Sequence, residues 1–157
     1  MKIKHYLLIV LTLLLISSCS STRKLLIKKG DYLGWKMTNY ELYGSKKEFE
    51  RTLNENYHLY SGYGLTMIMY QEIEGPNFMK MKIEIYKTKD RPGAQGLYKR
   101  YQSFTKIPIG ENGSESPGFV AFHRDNYFVK IIAVRNLQDK NNYLKNVAQI
   151  IDSKISR

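Results

Sequence analysis

A chain of 157 residues with 43% apolar side chains and a single cysteine fits one globular domain, which excludes a disulfide scaffold and a disordered polymer. Its 25 Lys and Arg against 14 Asp and Glu leave a net charge of +11, a surplus that points towards anionic partners. Tyrosine is frequent, with 13 copies, so aromatic surfaces with a polar handle are to be expected.

Residues 1–18 read as an export signal. Lys2 and Lys4 form a basic start and an apolar run follows from Tyr6 to Ile16, too short to cross a bilayer core that needs about 20 residues. The run ends in Ile16-Ser17-Ser18-Cys19, which resembles the lipobox of bacterial lipoprotein signal peptides. That resemblance implies cleavage before Cys19 and acylation of its thiol by diacylglycerol and palmitate-type chains. The mature protein is then expected in the cell envelope, membrane-bound through lipid on Cys19 and facing periplasm or exterior. Lipidation also accounts for an otherwise unpaired thiol in an exported protein.

Residues 19–30 read as the lipidated cysteine and a basic tether carrying Arg23, Lys24, Lys28 and Lys29, and residues 31–157 as a single domain. Residues 32–43 form an extended lead-in with the lone Trp35. Ser45-Lys46-Lys47-Glu48 fits a capping box, and Phe49, Leu53 and Tyr57 continue one helical face until Gly62 and Gly64. Leu65–Glu74 and the alternating Met79, Met81, Ile83 and Ile85 give two strands of a hairpin turned by Gly75-Pro76-Asn77. On that alternation Glu72, Glu74 and Glu84 fall in the solvent-facing phase, as partners for Lys80 and Lys82. Asp90-Arg91-Pro92 starts a helix with Ala94, Leu97, Tyr98 and Tyr101 on its apolar face. Residues 108–118 read as a loop, 119–123 and 127–134 as strands, and a helix from about Asp139 buries Leu144, Val147, Ala148, Ile151 and Ile155.

This order of elements predicts an α+β domain, a twisted antiparallel sheet with helices packed on one side. In shape it is comparable with the PsbP/Mog1-like α-β-α sandwiches, by analogy. Gly34-Trp35-Lys36, Leu59-Tyr60 with Tyr63-Gly64, Ile83-Glu84-Ile85-Tyr86, Gly93-Ala94-Gln95-Gly96-Leu97-Tyr98, Ile109-Gly110 and Asn126-Tyr127-Phe128-Val129-Lys130-Ile131 resemble, in this order, a family of exported bacterial proteins defined only as a domain of unknown function. The likeness spans nearly all of the mature chain. It departs at Gln95, where the family usually has Phe, and near the last hairpin, where the family tends to carry Trp and Gly and this chain has His123 and Asp125 or Asn126; it implies no catalytic residues.

The chemistry-bearing residues are sparse. His58 and His123 have no spaced acidic or thiol companions, so no metal ligand set and no cofactor are expected. Gly-x-Ser-x-Gly is absent, and Gly93-x-x-Gly96 lacks the nucleotide-binding pattern. Two groupings remain as candidate ligand or surface sites. One is Tyr60, Tyr63, Tyr98 and Tyr101, whose segments meet at one sheet edge; the other is the basic Lys80, Lys82, Lys87 and Lys89. Nucleic acid is excluded by compartment, leaving anionic envelope polymers or an envelope protein as partners. The expectation is a non-enzymatic binding or assembly domain, set against an envelope glycan hydrolase with a site assembled from dispersed residues, or a structural subunit.

Overall fold

The computed structural model describes residues 22–135 and 140–157. The export signal and Cys19 lie outside the described residues, as does Asp139. Seven strands form one antiparallel sheet: β1 (Lys36–Tyr43), β2 (Leu65–Glu74), β3 (Lys80–Thr88), β4 (Thr105–Ile107), β5 (Asn112–Ser116), β6 (Phe119–Arg124) and β7 (Tyr127–Arg135). Their order is β1-β2-β3-β7-β6-β5-β4, two meanders that join where β3 pairs with β7. The helices are α1 (Lys46–Leu53), α2 (Tyr57–Gly62), α3 (Arg91–Tyr101) and α4 (Asn141–Ile155). The α+β class and the single antiparallel sheet are as the sequence leads one to expect.

Four details differ. First, the helices lie on both faces of the sheet rather than one. On face A, Met69, Ile73, Met81, Ile83, Ile85, Val129 and Ile131 pack against Leu144, Val147, Ala148 and Ile151 of α4. On face B, Ile68, Tyr86, Ala121 and Phe128 pack against Phe49 and Leu53 of α1, Tyr60 of α2 and Ala94, Leu97 and Tyr98 of α3. The central strands are therefore covered twice, and β3 is buried from Ile83 to Tyr86 instead of alternating.

Second, residues 22–30 are not a free tether. Leu25, Leu26 and Ile27 are buried in the face A core beside Trp35. Gln71, almost fully buried on β2, pins them: its amide oxygen accepts from the Ile27 N–H at 3.0 Å and its amide nitrogen donates to the Ile27 carbonyl at 2.8 Å. Both amide groups are thus satisfied inside an apolar layer, as burial requires.

Third, residues 105–107 and 112–116 are strands. The pattern of the second strand hides this because Gly113 and Ser114, on opposite faces, are both buried, and at Gly113 a larger side chain cannot fit: a Cβ there would lie 2.5 Å from the Ile109 carbonyl oxygen. The predicted helix through Tyr57 is also interrupted, since Asn54 takes a positive φ of 47° and turns the chain before α2.

The predicted helix starts at Ser45 and Asp90 stand. Ser45 accepts from the Glu48 N–H while the Glu48 carboxylate accepts from the Ser45 N–H at 2.9 Å, the reciprocal box that satisfies two end donors of α1. Asp90 caps α3 by accepting from the Gly93 N–H at 2.9 Å.

Candidate functional site

Strand alternation and register bring one row of polar side chains across face B. Glu41 of β1 lies opposite Tyr70 of β2, Tyr70 opposite Glu84 of β3, Glu84 opposite Lys130 of β7, and Lys130 opposite Ala121 of β6. At the sheet centre the row is buried. Glu84 is therefore not solvent-facing, as its phase alone suggested; its side chain is only 8% exposed because α2 and α3 roof that part of the sheet.

The carboxylate is fully engaged. One oxygen receives the Lys130 ammonium at 2.5 Å and the Tyr86 hydroxyl at 2.7 Å; the other receives Lys82 at 2.9 Å. Burial by itself would raise the Glu84 carboxyl, but the Lys130 charge and the hydrogen bonds from Lys130, Tyr86 and Lys82 outweigh it and hold the group below its ordinary range. Lys130 in turn sits over the rings of Tyr101 (4.7 Å) and Tyr86 (5.2 Å), with the Tyr60 hydroxyl at 3.5 Å. Tyr60 donates to the Tyr101 hydroxyl at 2.8 Å and stacks on Tyr86 at 4.7 Å. Burial raises the phenols of Tyr60, Tyr70 and Tyr86, so they remain protonated donors.

Towards β1 the roof ends and the same row opens to solvent. Asn39, Glu41, Tyr43, Tyr70, Glu72 and Lys82 floor a cleft of roughly 520 Å³, and Arg51 and Thr52 of α1 form its wall. Tyr43 and Tyr70 meet edge to face at 6.0 Å, and Lys82 crosses the Tyr70 ring at 4.5 Å. Glu72 is paired with Lys80 at 2.6 Å, and Glu41 accepts from the Tyr43 hydroxyl. Lys82 is the link: it bridges the open cleft to the buried Glu84–Lys130 pair and so fixes the floor against the rigid sheet centre.

The structure unites some of the sequence candidates and separates others. Tyr60 and Tyr101 meet, but over Lys130 inside the fold rather than on a surface. Tyr63 packs where Gly96 leaves room, for a Cβ there would lie 2.4 Å from the Tyr63 ring. Tyr98 turns away to Lys106, which donates to its hydroxyl at 3.3 Å, and to His123 at 5.4 Å between rings. The four lysines do not form one patch: Lys80 and Lys82 lie on face B in ion pairs, and Lys87 projects from the opposite face over Tyr127 at 5.5 Å. Lys89 is exposed beyond the end of β3, its N–H bonded to the Gly64 carbonyl. Sequence reasoning missed Tyr43, Arg51, Tyr70, Glu84, Tyr86 and Lys130. The signal available was the polar phase of three successive strands, whose side chains become neighbours only once register is known.

His58 is exposed, whereas His123 is fully buried. Its Nε2 lies 2.9 Å from the Asn112 side-chain nitrogen, and its Nδ1 faces Glu111 at 3.5 Å without a hydrogen bond. Burial pushes the imidazole below 6.5; Glu111 opposes this, and Arg91, Arg124 and Lys99 add to it. The unfolded chain therefore binds the proton more readily, so stability from this group is full above pH 6.5 and is lost as pH falls through the lower folded value. Replacing His123 with Gln should flatten the pH dependence of the urea midpoint between that value and 6.5; an unaltered slope would remove His123 as its source. Among the described residues no group of His, Cys, Asp and Glu is arranged to hold a metal ion, and no helix is long and apolar enough to cross a membrane.

No protein-family model, no curated protein and no solved structure matches this chain.

Proposed function

We propose that this protein is a lipid-anchored envelope protein, held through Cys19, whose domain binds a polar envelope ligand in the cleft over β1–β3. The observation that carries the reading is the cleft itself: two tyrosine rings, cations from Arg51 and Lys82, and carboxylates from Glu41 and Glu72 line one open hollow on a rigid floor. Aromatic faces with flanking polar groups of both signs suit a sugar bearing charged substituents, the chemistry of envelope glycans. A glycan hydrolase reading draws on Glu41 and Glu72 in the same hollow. Both are engaged, by Tyr43 and Lys80, which favours binding over acid–base chemistry.

The test is a thermal-shift screen of residues 20–157 against acidic and amino-sugar glycan fragments. A ligand at 100 times its Kd should add about 2.7 kcal/mol to the stability. The same ligand should leave Arg51→Ala and Tyr70→Ala unshifted. A ligand that stabilises the parent and both variants equally binds elsewhere and sinks the reading.

A further inference from the structure

The N-terminal segment carries a second feature that the cleft does not use. Thr22 to Leu26 curl into one turn, with Leu25 N–H bonded to Thr22 and Leu26 N–H to Arg23, and the chain then locks onto Gln71 through Ile27. Only two residues separate Cys19 from Thr22, a reach of at most about 10 Å. Any group attached to Cys19 is therefore tied close to the folded body and not to the end of a long stalk.

The surface beside this turn is basic and unusually apolar. Arg23, Lys24, Lys28 and Lys29 are exposed. Lys29 opens into a hollow of roughly 640 Å³ walled by Tyr32, Trp35 and Pro76, and rimmed by Leu33 and Phe78. Leu33 is 94% exposed and Phe78 69% exposed, two large apolar side chains standing in water at the rim of one hollow. Both acidic groups nearby are compensated: Asp31 by Lys154 at 2.5 Å and Glu74 by Lys36 at 3.7 Å. Beneath the hollow Trp35 stacks on Tyr32 at 5.5 Å and packs where Gly75 has no side chain, a Cβ there lying 2.4 Å from the indole. The rim is thus mounted on a fixed base.

We propose that this face docks on an anionic bilayer, with Leu33 and Phe78 inserted at the headgroup boundary and the basic residues against lipid phosphates. The inference rests on the Cys19 anchor as the reason a membrane is near, and commits to the lipid surface as occupant because charge, exposed apolar side chains and chain reach agree on it. A lipid anchor combined with a basic patch is the two-signal arrangement that stable membrane attachment needs. Docking in this way stands the lower end of β1–β3 on the bilayer. Asn39 to Tyr43 then lie three to seven residues above Lys36, which at about 3.3 Å per residue sets the binding cleft about 10–23 Å from the surface.

The experiment does not depend on native acylation. Residues 20–157 with an N-terminal polyhistidine are held on vesicles containing nickel-chelating lipid, and a solvatochromic fluorophore is placed on Leu33→Cys, Phe78→Cys or Phe104→Cys. Phe104 is fully exposed next to β4, at the opposite sheet edge from β1. With phosphatidylglycerol–phosphatidylcholine vesicles, the labels at positions 33 and 78 should shift to the blue and the label at 104 should not. Pure phosphatidylcholine, or Lys24, Lys28 and Lys29 changed to Gln, should lose most of the shift. No shift at 33 and 78, or an equal shift at 104, overturns the docking face. The acyl mass on Cys19 of the cell-derived protein tests the anchor separately.

Discussion

Lys130→Met should destabilise the folded protein by about 3 kcal/mol, at the lower end of the range for breaking a buried ion pair. The change removes the ammonium that faces Glu84 from the adjacent strand and leaves that carboxylate 8% exposed with Lys82 and Tyr86 as its remaining partners. A denaturant titration gives the loss directly. The acid limb gives a second readout. Glu84 is held below its ordinary value of 4.5, so its contribution is full above that pH and disappears as pH falls through the folded value. Without Lys130 the carboxyl rises, and acid unfolding should begin at higher pH. The double change Lys130→Met with Glu84→Gln should cost less than Lys130→Met alone, because no unpaired charge is then left inside. A double variant as unstable as the sum of the two single changes would mean that the charges are independent and the pair does not organise the sheet centre.

A chain that begins at Asp31 should fail to fold cooperatively, while one that begins at Ser20 folds. Residues 22–30 contribute Leu25, Leu26 and Ile27 to the face A core, and burying three such side chains is worth about 5–9 kcal/mol at about 1.5–3 kcal/mol each. Their loss also strands the Gln71 amide, whose two bonds both go to Ile27, at a further cost of about 1–3 kcal/mol. Together these match much of the stability of a typical domain. Circular dichroism in the near ultraviolet reads the result, since Trp35 and Tyr32 lose their packing with the segment. A sharp thermal transition in the shorter chain would show that residues 22–30 are a tether after all.

These two expectations mark where the sequence was legible and where it was not. The amphipathic face of α4, the caps at Ser45 and Asp90 and the β2–β3 hairpin are local patterns, each set by residues within a few positions, and they could be read directly. Leu25-Leu26-Ile27 could not be placed, because three apolar residues in a basic stretch declare neither period nor partner until Gln71 is known to stand opposite. Strand β5 was hidden for a related reason: it is covered on both faces, and the residues buried there are the small Gly113 and Ser114, so it reads as a polar loop. The site suffered most. Glu84 and Lys130 are 46 positions apart and become neighbours only through the pairing of β3 with β7, while helices on both faces turn an apparently solvated charge into a buried one. Tyrosine content pointed to aromatic surfaces, but the rings that reach the cleft are Tyr43 and Tyr70 rather than Tyr63 and Tyr98.

The most direct measurement of the binding claim is a titration of isotopically labelled residues 20–157 with charged glycan fragments, followed by chemical-shift changes at each backbone amide. Saturable shifts confined to Asn39, Glu41, Tyr43, Arg51, Thr52, Tyr70, Glu72 and Lys82 are the predicted result. Saturable shifts centred elsewhere, or none with any fragment, would contradict it.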